Sequence, residues 1–211
     1  MMLKVTYFPL GPVQTNCYFV ADKDQNCLVI DPGEESEKII RYIEEEGLKP
    51  VAIFLTHGHF DHIGAVDAVR DAFKVPVYIH EKEQHTLTDP ARNGSSRYPG
   101  LPLVKNRPAD NLIAAGGQMD IGPFTFDMRD TPGHSPGSLS FVFEEDGFAI
   151  VGDTLFQGSV GRTDLPGGDT ETLLQAIHDE LLTLDEEMIV YPGHGGPTTI
   201  GEEVRTNPFL M

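Results

Sequence analysis

The run Thr56-His57-Gly58-His59-Phe60-Asp61-His62 directly follows the apolar stretch Val51 to Leu55. Four metal-capable side chains crowd within six positions there, and few architectures accommodate that. The apolar stretch reads as a buried strand, and Ile63 to Phe73 reads as a helix with Val66, Val69 and Phe73 at helical spacing. Between them a loop can fold imidazole and carboxylate groups around a centre that a straight helix face could not surround. Three more candidates share that address. His134 follows the strand Phe124 to Met128, Asp153 follows Phe148 to Val151, and His194 follows Met188 to Tyr191. Loops at one end of apolar strands commonly carry function on a rigid scaffold.

The remaining pattern fits an α/β chain. Leu3 to Phe8, Cys17 to Ala21 and Cys27 to Ile30 are β-branched and aromatic stretches separated by turn residues, which predicts an antiparallel meander. Glu34 to Glu46 is helical, with Ile39, Ile40 and Ile43 on one face and Gly47 as the stop. Val75 to Ile79 and Leu139 to Phe143 are further strands, and Thr170 to Leu182 is a third helix. Residues 90–118 lack periodicity and read as an extended loop within one domain spanning 1–211. Each half runs strands then helix, so the expected fold is two mixed sheets packed face to face with helices outside.

Charge narrows the partners. Thirty-three acids against 15 bases give a net charge of −18, which repels phosphate backbones and anionic lipid. Neither nucleic acid nor membrane is expected as a partner. The N-terminal residues lack the regions of a signal peptide, and no apolar run approaches the roughly 20 residues of a membrane span, so a cytoplasmic location is expected. Cys17 and Cys27 sit in apolar stretches and read as buried thiols. Residues 90–109 contain Arg92, Arg97, Lys105 and Arg107 and no acid, an electropositive island that either lies over the metal cleft and attracts substrate carboxylates or is a solvated loop or oligomer contact. His80, His85 and His178 lack the strand-end context of the other histidines.

Five imidazoles and two carboxylates (His57, His59, Asp61, His62, His134, Asp153, His194) suit a borderline divalent ion, zinc first, with iron or manganese open. Seven donors divide into two sets of three and one shared carboxylate, which fits two metal ions about 3.5 Å apart. The lack of cysteine among them argues against a closed structural zinc site.

Taken together, Asp31-Pro32-Gly33, His57-Gly58-His59-Phe60-Asp61-His62, Gly133-His134, Gly152-Asp153-Thr154 and Gly193-His194 resemble the metallo-β-lactamase superfamily over nearly the whole chain. The resemblance implies an αββα sandwich with the metals at one edge of the paired sheets. It implies that His57, His59 and His134 hold one ion, that Asp61, His62 and His194 hold the other, and that Asp153 bridges. Asp31 would orient a ligand histidine. Gly152 to Phe156, Gly158-Ser159-Val160-Gly161-Arg162-Thr163-Asp164 and the tail from Thr198 to Phe209 look most like short glyoxalase II-type thioesterases. That likeness implies hydrolysis of a hydroxyacyl (lactoyl) thioester by a metal-bridging hydroxide, with Asp61 orienting the nucleophile and Arg162 meeting the thiol-derived part. The longer glyoxalase II enzymes carry a C-terminal helical domain that helps grip glutathione. No such domain is expected within residues 1–211, so the resemblance does not extend to glutathione as the thiol.

Two rival classes remain at this stage. Mononuclear-iron persulfide dioxygenases resemble the same pattern, including a Gly-Arg-Thr-Asp stretch, and would make the chain an oxidoreductase. A non-catalytic metal-binding module would bind the ions and turn nothing over. Oligomeric state is not legible.

Overall fold

In the computed structural model, which describes residues 3–211, the predicted meander is present. Strands β1 (Lys4–Leu10), β2 (Thr15–Ala21) and β3 (Asn26–Ile30) are antiparallel, and Tyr18 stands opposite both Tyr7 and Ile30. The described chain falls into two compact units. One runs to Ala114 and adds Ile121–Pro123; the other comprises Ala115–Asp120 and Phe124–Met211.

In the first unit, helix α1 (Ser36–Glu45) leads to β4 (Lys49–Phe54), and two helical segments follow, α2 (Phe60–Ile63) and α3 (Val66–Phe73). Strands β5 (Val77–His80) and β6 (Asn111–Ile113) complete a six-stranded sheet in sequential order, parallel from β3 onward. Side chains alternate across strands, so Cys17, Phe19, Val29, Ile53 and Ile79 reach one core. There they meet Ile39 and Ile43 of α1 and Val66 and Val69 of α3. Cys17 and Cys27 are buried free thiols, as expected.

Two expectations need correction here. The helix read as continuous over 63–73 begins earlier and breaks at Gly64-Ala65. The Ala65 N–H donates to the Pro32 carbonyl, which pins the chain to the 31–33 turn and interrupts the helical ladder. The stretch 90–118 is not wholly loop, because it contains β6 and the first two residues of β7 (Gly117–Ile121). Asn111 to Ile113 has no pattern of its own and is a strand because Tyr78 to His80 offers it a ladder.

The irregular part is tied down by side chains. Fully buried Asn93 donates to the carbonyls of Thr86 and Val104, and Asn106 donates to that of Ile63. Arg70 reaches the Pro108 carbonyl and Asp110. The expected basic island is partly neutralised: Arg107 pairs with Asp71 at 2.8 Å and Asp67 at 3.3 Å, both on α3. Arg92 lies 3.6 Å from Asp89.

The second unit holds a mixed six-stranded sheet in the order β14-β13-β10-β9-β8-β7. Its strands are β7, β8 (Phe124–Asp130), β9 (Leu139–Phe143), β10 (Phe148–Gly152), β13 (Ile189–Pro192) and β14 (Thr198–Thr199). β10 and β13 run parallel; β8, β9 and β10 alternate. A two-stranded hairpin, β11 (Leu155–Phe156) and β12 (Ser159–Val160), projects after β10, and α5 (Ile200–Thr206) closes the chain. The predicted third helix is α4 (Thr170–Ala176) continued by a π turn over Ile177–Leu181. Leu173, Ile177 and Leu181 recur every fourth residue and bury against Val142, Ala149, Val151 and Val190. The fold is thus the expected mixed α/β architecture with two mixed sheets. Among the described residues no helix is long and apolar enough to cross a membrane.

Candidate metal centre

The first unit places His57, His59, Asp61 and His62 just beyond the end of β4, on the loop and on α2. The chain turns so tightly that a Cβ at Gly33 would lie 1.9 Å from the Asp61 carbonyl oxygen, so only glycine fits there. His57 Nε2 stands 3.1 Å from His59 Nδ1, and the His57 and His62 rings lie 4.2 Å apart. His62 Nε2 is 3.6 Å from Asp61 Oδ2, an oxygen that also accepts the Thr15 hydroxyl at 2.7 Å.

Asp31 organises this set from behind. It is buried, and its backbone is left-handed at φ 51°. Oδ1 accepts the Thr56 N–H at 2.8 Å, while Oδ2 accepts the Thr56 hydroxyl at 2.6 Å and His62 Nδ1–H at 2.8 Å. Because the Thr56 hydroxyl gives its only proton to Asp31, it acts as acceptor toward His57 Nδ1 at 3.1 Å. Both His57 and His62 therefore donate from Nδ1, the arrangement in which a neutral ring presents Nε2 as its lone pair.

The second unit arranges His134, Asp153 and His194 in the same manner, each in a loop after β8, β10 or β13. Asp153 Oδ2 lies 3.5 Å from His134 Nε2 and 3.5 Å from His194 Nε2. His134 Nδ1 donates to the Arg162 carbonyl at 2.8 Å, which again leaves Nε2 with its lone pair. The main chain that supplies this carbonyl passes close to Asp153, and a Cβ at Gly161 would fall 1.8 Å from the Asp153 carbonyl oxygen.

These spacings suit cation binding better than direct hydrogen bonding. Two ligands about 2.0–2.1 Å from one tetrahedral ion stand about 3.4 Å apart. The nitrogen–oxygen pairs at 3.5 and 3.6 Å lie near that edge and beyond the roughly 3.2 Å reach of a good N–H···O bond. Neutral imidazoles with outward Nε2 and backs tied to carboxylate or carbonyl are the form in which histidine binds a borderline divalent ion.

Each predicted donor thus lies with its sequence partners: His57, His59, Asp61 and His62 in one unit, His134, Asp153 and His194 in the other. Arg162 also has a second role, since its main-chain carbonyl holds His134 while its guanidinium forks onto Asp164 at 2.7 and 2.8 Å. That fork holds the Asp164 carboxyl down to about 2. His80 is buried at the end of β5 and accepts the Lys82 N–H at 3.0 Å, and exposed His178 pairs with Asp179; neither joins the donors just described. Sequence reasoning missed Thr56, Thr15 and the Arg162 carbonyl. Adjacency to the histidine run could have flagged Thr56, whereas a main-chain acceptor leaves no residue-type signal.

The metallo-β-lactamase superfamily model matches residues 10–194. The chain is 50% identical to the probable metallo-hydrolase YqgX of Bacillus subtilis over 208 residues, covering 99% of this chain and 98% of that one. It is 38% identical to hydroxyacylglutathione hydrolase GloC of Haemophilus influenzae, over 99% of this chain and 98% of that protein. Among solved structures, the BLEG-1 B3 metallo-β-lactamase matches with a TM-score of 0.96 and 51% identity, over 99% of this chain and 100% of that one. The strand-end donors, the two mixed sheets and these matches agree: the chain belongs to the metallo-β-lactamase superfamily.

Proposed function

We propose that the chain is a metal-dependent hydrolase that cleaves a hydroxyacyl thioester of a low-molecular-weight thiol, acting as a single domain in the cytoplasm. His57, His59, Asp61 and His62 of the first unit and His134, Asp153 and His194 of the second would hold the divalent ions. The observation that carries this reading is the hydrogen bonding: Nδ1 of three histidines contacts Asp31, the Thr56 hydroxyl or the Arg162 carbonyl, which leaves Nε2 of each as the atom turned away from those partners and suited to ligate. When bound, two such ions supply Lewis acidity, polarising a carbonyl and acidifying water at neutral pH.

The protein's own contribution is placement. Asp61, steadied by Thr15, orients the attacking water. Asp31 keeps His57 and His62 in the one tautomer that ligates. Arg162, whose guanidinium is gripped by Asp164, would meet the thiol-derived part of the substrate. Thioester chemistry is favoured by the similarity to GloC, which is matched over nearly its whole length. β-Lactam hydrolysis is a second reading, favoured by the similarity to BLEG-1.

Elemental analysis of the purified chain, paired with turnover on lactoyl thioesters of several thiols, a cephalosporin, and a persulfide with oxygen, tests the proposal. Two metal equivalents with thioester turnover are expected. One iron with oxygen uptake, or β-lactam cleavage without thioester cleavage, overturns it. Activity should also decline at acidic pH, because protons compete with the metal for the imidazole nitrogens.

A further inference from the structure

Hairpin β11–β12 is two residues a side, too short to hold its place by its own ladder. Yet it borders every donor of the second unit. Asp153 lies two residues before it, Arg162 two residues after it holds His134 by its carbonyl, and the Phe156 ring stands edge-on to His194 at 6.2 Å.

What fixes the hairpin comes from the tail of the chain. Glu203 of α5 is fully buried, and its Oε2 accepts the Gly158 N–H in the hairpin turn at 2.9 Å. Its Oε1 accepts the Thr198 hydroxyl at 2.6 Å. Asn207, equally buried, donates Nδ2 to Glu203 Oε2 at 2.7 Å and to the Ser159 carbonyl at 3.0 Å, while its Oδ1 accepts the Phe209 N–H. A buried carboxyl is costly unless hydrogen-bonded, and here donors converge on it from the hairpin, β14 and its own helix. An apolar residue could fill the same space but would release the hairpin turn.

We infer that Glu203 and Asn207 are positioning residues for the second donor set. They hold the hairpin so that the Arg162 carbonyl keeps His134 protonated on Nδ1 and Phe156 restricts the His194 ring. The inference rests on the reading of these donors as metal ligands, and the test separates the two. In the full chain, the His134 Nδ1–H resonance of metal-stripped protein and the zinc affinity from chelator competition are compared for wild type, Glu203→Ala and Glu203→Gln.

Glu203→Ala is expected to lose the resonance or speed its exchange about tenfold, and to weaken zinc binding about tenfold or more. Glu203→Gln, which still offers an acceptor to Gly158 and Asn207, should stay within about threefold of wild type in zinc affinity. An unchanged resonance and unchanged affinity in Glu203→Ala overturn the inference, even if the melting temperature falls. Should Glu203→Ala not fold, Asn207→Ala carries the same expectations. If the wild-type chain takes up no zinc, the metal reading fails, and the ring resonance still decides the positioning role.

Discussion

Asp31 shows how much one residue can decide. Its carboxylate accepts three hydrogen bonds, and through them it sets the proton position on two histidines. Asparagine at 31 keeps the shape but offers a single acceptor oxygen, so at least one donor loses its partner. Asp31→Asn should weaken metal affinity by about 10–100-fold in chelator competition. The buried thiols make a second residue-scale prediction. Burial pushes the Cys27 thiol up to about 12, and burial followed by the nearby Asp31 charge pushes Cys17 up well above its usual value. At pH 8 both are protonated and should resist thiol reagents in the folded chain, reacting only after urea is added. The unfolded thiols ionise near pH 9 while the folded ones stay neutral, so unfolding free energy should fall as pH climbs from 9 towards 12. At this scale the sequence was highly legible. His57, His59, Asp61 and His62 announce themselves because ligation is a property of side-chain type, whereas the Arg162 carbonyl could belong to any residue.

At the scale of elements, the hairpin and its flanks are the exacting part. An added methyl at Gly161 would sit 1.8 Å from the Asp153 carbonyl oxygen, a backbone atom that cannot swing aside. Gly161→Ala must therefore lift the following residue and draw its carbonyl from His134. Loss of most metal affinity with secondary structure retained is expected, measured by chelator competition beside circular dichroism. Legibility varied by element for physical reasons. Long apolar runs such as β2 and β10 were read directly, because both faces of the strand are buried and the pattern is continuous. β6, β14 and the hairpin escaped, since two or three residues carry no period and owe their shape to a neighbour. The break between α2 and α3 escaped too, because a carbonyl thirty-three residues away claims the Ala65 N–H.

The whole molecule carries a net charge of −18, and that excess works against folding through self-repulsion. Raising sodium chloride from about 0.05 to 0.5 M shortens the screening length from roughly 14 to 4 Å and should raise the melting temperature of the metal-stripped chain. Bound divalent cations act in the same direction by adding positive charge and by mass action, so chelator treatment should lower the melting temperature. The Arg107 pairing described above has a kinetic corollary. With its guanidinium held by Asp67 and Asp71, that side chain gives little long-range pull to an incoming anion, which must diffuse uphill through a repulsive field. Bimolecular capture of a carboxylate-bearing thioester should accelerate as ionic strength rises, the reverse of an electrostatically steered encounter.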